Sequence, residues 1–230
     1  MSIDPGFEQF ISNFQEDVRL KSRDSSSESF AEEQFTEEML EYLADAGEIE
    51  GFQLCSYQAR GVKVNGYDFN NNDEFLDLFV TFFNGESSPV KVSKSEIINY
   101  FKRLRAFFDR SVRQKYITME ESSPAFDLAD KVFQLRENLI NVRLFVITDG
   151  IAVNIDAIED EKYGQYKISH HLWDMQRLFR LYSSGNRPEP IEINFNNDFG
   201  NTIPCLPMPE ENSKYITYLA ILSGKTLSDL

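Results

Sequence analysis

Two aspartates, Asp68 and Asp77, stand on either arm of the stretch VNGYDFNNNDEFLDLFVTFF, residues 64–83. Paired carboxylates supply the hard oxygen donors that hold Mg²⁺ or Mn²⁺, and such an ion can activate water and neutralise a phosphate. The stretch reads as two strands joined by an Asn-rich turn. With Phe69 opposite Glu74, Asp68 faces Phe75 and Gly66 faces Asp77. Strand side chains alternate, so Gly66, Asp68, Phe75, Asp77 and Phe79 share one face. The two aspartates are then diagonal neighbours, roughly 7 Å apart at Cα, and Gly66 leaves room for an ion beside Asp77. The plainer alternative is that Asp68 and Asp73 flank a turn, with Asp77 an exposed acid on an apolar strand.

A second candidate is cationic. Lys91, Lys94, Lys102, Arg103, Arg105, Arg110, Arg113 and Lys115 are opposed between positions 91 and 115 by Glu96 and Asp109 alone. On a helix, Lys102, Arg103, Arg110 and Arg113 fall opposite the stripe Ile97, Phe101, Leu104 and Phe108, forming an outward basic ridge able to meet phosphates. The competing reading is that the ridge pairs with the protein's own acids. His170 and His171 are adjacent, so on a helix they diverge by about 100° and cannot share a metal. Asp149, in the TDG at 148–150, ends a strand, where a catalytic Asp could sit, and the plainer reading is a turn residue. The sequence contains no phosphate-binding glycine loop, nucleophile elbow or Cys–His pair of nucleophilic type.

These residues must be positioned by elements whose periodicity is legible. Phe7, Phe10, Ile11, Phe14 and Val18 lie at helical spacing, and a polar KSRDSSSES linker follows. Phe35, Met39, Tyr42, Leu43 and Ala46 mark a second helix that ends at Gly47. Strands are expected around 52–58, 62–69 and 74–83. Ser93 and Glu96 form a capping box for the next helix, and Pro124 opens another. A strand over 142–150 precedes a short one at 151–155. Residues 169–185 read as an amphipathic helix with Leu172, Met175, Leu178, Phe179 and Tyr182 inward. Strands are expected at 190–195 and 214–222, a Pro-rich loop at 202–213, and the start of a helix at 223–230. Helices between strands indicate an α/β layer fold with a mixed sheet.

Composition narrows the function classes. The 23 Lys plus Arg against 38 Asp plus Glu leave a net charge of −15, which argues against a stand-alone nucleic-acid binder. The 20 Phe among 230 residues predict a Phe-rich core. Cys55 and Cys205 lack metal-site spacing and are expected to be buried thiols in a reducing compartment. No stretch is long and apolar enough to span a bilayer, and the opening MSIDPGFEQF lacks a signal-peptide pattern, so a cytoplasmic location is expected.

In order, GEIEGFQLCSYQARGVKVNGYDFNNNDEFLDLFVTFF, SKSEIINYFKRLRAFF, RLFVITDG and YLAILSGKTLSDL resemble the N-terminal part of the abortive-infection phage-resistance (AIPR) proteins, from about Phe30 onward. The resemblance implies a bacterial protein of antiviral defence, of which these residues are an N-terminal fragment. It also implies a restriction-endonuclease-like PD-(D/E)xK core, in which a hairpin supplies an Asp and then an acidic-x-Lys triplet. On that pattern Asp68 and Asp77 hold Mg²⁺ or Mn²⁺, with Glu38 or Glu41 of the preceding helix as a further ligand. The lysine should stand at position 79, and this chain has Phe79 there. Lys63, Lys91 and Lys94 are the candidates for a migrated lysine.

The expected organisation is a helix and Ser-rich linker over 1–29, an endonuclease-like α/β domain over 30–185, and final strands opening a further module over 186–230. Two functional readings follow. The first is a non-catalytic recognition or assembly domain, partnered by the rest of a longer chain, another protein or a second copy. The second is a metal-dependent nuclease acting through Asp68 and Asp77, with DNA or RNA held on Lys102, Arg103, Arg110 and Arg113.

Overall fold

The architecture is that of a computed structural model, which describes residues 5–21, 28–70, 73–86, 88–153, 155, 158–184, 205–207 and 218–220. The chain divides into two units, Met1–Pro188 and Glu189–Leu230. In the second, β9 (Cys205–Pro207) pairs antiparallel with β10 (Tyr218–Ala220). The Pro-rich segment expected to be loop therefore contributes a strand, and Cys205 is exposed rather than buried. The strand expected at 190–195 and the helix start at 223–230 lie outside the described residues.

In the first unit α1 (Pro5–Lys21) and α2 (Glu28–Asp45) precede a hairpin pair of strands, β1 (Gln53–Ala59) and β2 (Val62–Phe69). β3 (Phe75–Phe82) and the short β4 (Lys91–Val92) lead into α3 (Lys94–Val112) and α4 (Pro124–Leu135). Then come β5 (Asn141–Thr148), β6 (Ile151–Ala152), β7 (Glu161–Tyr163), β8 (Tyr166–Trp173) and α5 (Met175–Ser183). The mixed α/β class expected from the pattern is the one observed. Six strands form a sheet in the order β1-β2-β3-β5-β8-β7. The β1/β2, β2/β3 and β7/β8 pairs are antiparallel, and β3/β5 and β5/β8 are parallel. Strands β1, β3, β5 and β8 thus run the same way, and the sheet has an amino edge and a carboxyl edge.

Alternation along the strands builds two apolar layers. Leu76, Leu78 and Val80, with Val142, Leu144 and Val146, pack against Ile97, Phe101, Leu104 and Phe108 of α3 and Leu128 and Val132 of α4. Phe79, Phe145, Ile147 and Trp173 point the other way, into a Phe-rich layer formed by α1, α2 and α5. The helix starts follow their caps. Ser93 and Glu96 close a reciprocal capping box on α3, and Ser123 with Pro124 at the first helical position starts α4.

The expectation of one helix over 169–185 is corrected. Residues 169–173 are the end of β8, whose Ile168 and Leu172 face α3 and α4 while Trp173 faces the other layer. The helix begins only after Asp174, whose carboxylate accepts hydrogen bonds from the backbone N–H groups of Arg177 and Ala152. Starting there, α5 buries Met175, Leu178 and Leu181 and leaves Tyr182 exposed. Leu172 at the end of β8 stands three residues before Met175 and six before Leu178 of α5, so the apolar residues on either side of Asp174 share a helical spacing.

Candidate functional site

The Asp68/Asp77 pair sits at the amino edge, on the face that carries Phe79 and Phe145. Its register differs from the expectation by two residues: Phe69 pairs with Leu76, Asp68 with Asp77, and Gly66 with Phe79. The cause is a wider connection. The side-chain oxygen of Asn70 accepts from the N–H groups of Glu74 and Phe75, and Asp73 takes a positive φ of 54°, so the loop closes as an Asn-capped turn rather than a tight one. A two-residue shift preserves the shared face but makes the aspartates direct cross-strand partners, an arrangement that is destabilising for like charges. Gly66 faces Phe79, and a Cβ there would lie 3.0 Å from the Gln53 carbonyl oxygen, so glycine serves close packing at this point and not an ion.

What offsets the repulsion comes from the next strand. In the parallel β3/β5 register Asp77 is level with Arg143, whose Nε donates to Asp77 Oδ1 at 2.7 Å and whose Nη2 donates to Oδ2 at 2.5 Å. Arg143 Nη1 also donates to the Glu48 carbonyl oxygen at 3.3 Å, and its guanidinium lies 5.2 Å from the Phe145 ring centroid. The fork therefore engages both oxygens of Asp77, the geometry in which arginine and carboxylate pair most strongly. Burial still pushes the Asp77 carboxyl above its usual range, with Arg143 acting in the opposite sense. Asp68 is also shifted up by burial. Glu50, Asp68, Asn70, Phe75, Asp77 and Arg143 line a cavity of only about 90 Å³.

These residues do not fit a divalent metal. Both oxygens of Asp77 are committed to the guanidinium, and Asp68 is the remaining carboxylate of the pair. Glu38 on α2 is held in an ion pair with Lys21 of α1. No group of three or more His, Cys, Asp or Glu side chains suited to a metal exists among the described residues. Phe79, in the position expected for lysine, is fully buried with its ring centroid 5.0 Å from that of Phe145.

The carboxyl edge holds a different set. The Lys63 ammonium donates to Glu32 Oε2 at 2.6 Å and to the Thr81 carbonyl oxygen at 2.8 Å. Asn65 Nδ2 donates to Glu32 Oε1 at 2.7 Å, and its carbonyl oxygen accepts from the Thr81 N–H. Lys63, one of the three sequence candidates, thus meets a carboxylate of α2, but it does so at the opposite end of the hairpin from Asp68 and Asp77. Burial lowers its pKa, with Glu32 opposing. Beside it lies a cavity of about 570 Å³, bounded by Phe14, Phe35, Phe83, Lys63, Gln58 and Asp149 among others. Asp149 accepts from the N–H groups of Asn84 and Gly85 and from Asn84 Nδ2, which ties the loop after β3 to the end of β5.

Residues 35–180, more than half of the chain, match the model of the abortive infection phage resistance protein N-terminal domain. The chain belongs to this family. No curated protein and no solved structure matches it.

In this AIPR N-terminal domain the basic ridge is partly self-neutralised. Arg113 contacts Asp109 and donates to the Tyr163 hydroxyl, and Arg105 pairs with Glu161. Arg103 lies over the Tyr100 ring, and Arg110 donates to the Arg60 carbonyl oxygen. Lys102, Arg103 and Arg110 have no carboxylate partner among the described residues. His170 and His171 lie on a strand, so they point to opposite faces rather than about 100° apart. His170 meets Phe101 edge-on, and His171 stacks on Phe145.

Sequence reasoning missed Arg143, Glu32 and Asn65. Arg143 was visible as a lone cation in the otherwise apolar run VRLFVIT, and Lys63 and Asn65 as polar residues alternating with Val62 and Val64. No helix among the described residues is long and apolar enough to cross a membrane.

Proposed function

We propose that this region of an AIPR protein is a non-catalytic recognition or assembly domain in bacterial antiphage defence, built on an endonuclease-like core whose acidic pair serves structure. The observation that carries the reading is the bidentate Arg143–Asp77 contact. An arginine seated on a would-be metal ligand supplies the positive charge that a nuclease takes from its ion, yet it brings no coordinated water to attack a phosphate. The domain would then work by contact, with the rest of a longer chain or with another cytoplasmic protein.

The test is a cleavage assay on single- and double-stranded DNA and RNA with Mg²⁺ and Mn²⁺, comparing the native protein with Asp68→Ala and Asp77→Asn. The reading expects no cleavage by the native protein above that of the variants. Metal-dependent cleavage lost in both variants would overturn it and install the nuclease alternative.

A further inference from the structure

In open α/β sheets, ligands are taken up in the crevice beyond the carboxyl ends of the strands. At that edge the AIPR domain has two adjoining concavities. The first is the cavity of about 570 Å³, whose wall includes Phe14, Phe35 and Phe83 and whose polar lining includes Lys63, Glu32 and Asp149. The second is an open groove of about 520 Å³ formed by Gln58–Gly61 at the β1–β2 turn together with Asn99 and Arg103 of α3. Gln58 borders both, so the two lie on either side of one side chain.

Their chemistry is complementary. The groove is cationic: Arg60 and Arg103 border it, and neither is ion-paired with a carboxylate among the described residues. Arg110, one helical stripe along from Arg103, donates to the Arg60 carbonyl oxygen and braces the turn. Such a cluster stands out in a chain of net charge −15. The cavity, by contrast, is aromatic on one wall, and its two cations, Lys63 and Arg19, share the lining with three carboxylates, Glu32, Glu86 and Asp149, of which Glu32 pairs with Lys63. The groove, whose lining holds two arginines and no carboxylate, is therefore the better seat for an anionic group. A flat, apolar body with donor and acceptor groups on its rim suits the cavity. A volume of hundreds of cubic ångströms matches that of ordinary small-molecule sites.

We propose that this edge binds a nucleotide, with its phosphate on Arg60 and Arg103 and its heterocycle in the cavity against the Phe83 wall. A sugar phosphate would leave the aromatic wall unused, and a phospholipid tail would meet carboxylates along it. The nucleotide is either free or the terminal residue of a nucleic-acid strand. The inference rests on the carboxyl edge alone and is independent of whether the Asp68/Asp77 pair is inert.

The experiment is calorimetric titration of the 230-residue protein with AMP, GMP, CMP and UMP, with inorganic phosphate, with adenosine, and with a short terminally phosphorylated single-stranded DNA. At least one nucleoside monophosphate, or the DNA, should bind saturably and more tightly than phosphate or adenosine. Tighter binding of the DNA would identify a strand end, and tighter binding of a monophosphate the free nucleotide. Arg103→Ala should weaken binding by about tenfold or more, as expected for loss of a charge-assisted contact. Ser56→Leu, which adds bulk from an exposed β1 position lining the cavity, should weaken it as well. Lys162→Ala, at an exposed position of β7 on the far side of the sheet from β1, should not. Circular dichroism confirms that each variant is folded. The proposal falls if none of the nucleotides nor the DNA saturates, if phosphate alone binds as tightly as they do, or if both Arg103→Ala and Ser56→Leu leave affinity unchanged.

Discussion

Arg143 lies level with Asp77 in the parallel β3/β5 register and grips both of its carboxylate oxygens, 66 residues away along the chain. The contact explains how Asp68 and Asp77 can face one another directly across β2 and β3. Two carboxylates at cross-strand distance repel, and the guanidinium of the adjacent strand lowers that cost. The pair and its arginine form a polar row across the sheet, above the aromatic contact of Phe79 with Phe145.

Removal of Arg143 should therefore be costly in a way that its removal together with Asp77 is not. Arg143→Met should destabilise by about 2 kcal/mol, because it strands a buried carboxylate. Arg143→Met combined with Asp77→Asn should recover part of that loss. A double-mutant cycle by urea unfolding measures the coupling, and strict additivity of the two single changes would contradict the pairing.

Restoration of the expected lysine should not restore a site. Phe79 is fully buried, so Phe79→Lys places an unpaired ammonium in the aromatic layer and should cost more than about 3 kcal/mol. A melting temperature close to the native value would show that position 79 reaches solvent after all.

The cap of α5 is a third test. Asp174 is buried and accepts from two backbone N–H groups, one in its own helix and one at Ala152. Asp174→Ala should cost about 1–2 kcal/mol, whereas Asp174→Asn, which keeps an acceptor, should cost less. Denaturant midpoints of the two variants decide it, and equal losses would show that the acceptor is not what matters.

His171 is pressed against Phe145, and burial together with the nearby Arg143 charge brings its pKa down to about 4. Between that value and the ordinary imidazole range the unfolded chain binds a proton that the folded one refuses. This group's contribution to stability is therefore complete above the unfolded pKa and is lost as pH falls towards the folded one. Imidazole chemical shifts followed by NMR should show His171 titrating near 4. His171→Phe should lose less stability on acidification than the native protein, and an unshifted titration would refute the burial argument.

Much of the fold could be read from the chain because its signals are local. The helical spacing of Phe7, Phe10, Ile11, Phe14 and Val18, the Ser93–Glu96 box and Pro124 all act within a few residues, and each marks a helix that forms. What escaped was non-local or ambiguous. The hairpin register turned on whether Asn70 would close a longer loop, and one side-chain acceptor decided it. The end of β8 is ambiguous in the sequence because Leu172 stands at helical spacing from Met175 and Leu178, and the polar Ser169, His170 and His171 before it suit an exposed helical turn as well as a strand. Arg143 stood out as a charge in an apolar run, but its partner depended on which strands became neighbours in the sheet. For the same reason Lys63 could be named as a candidate while its meeting with Glu32, a helix away, could not.

The measurement that bears most directly on the acidic pair is calorimetric titration with Mn²⁺ and Mg²⁺, run on the native protein beside Asp68→Ala and Asp77→Ala. With Arg143 holding both oxygens of Asp77, the native protein should show no saturable binding that either variant removes. A one-site isotherm abolished in both variants would mean that the ion displaces the guanidinium and that the pair is a working metal centre.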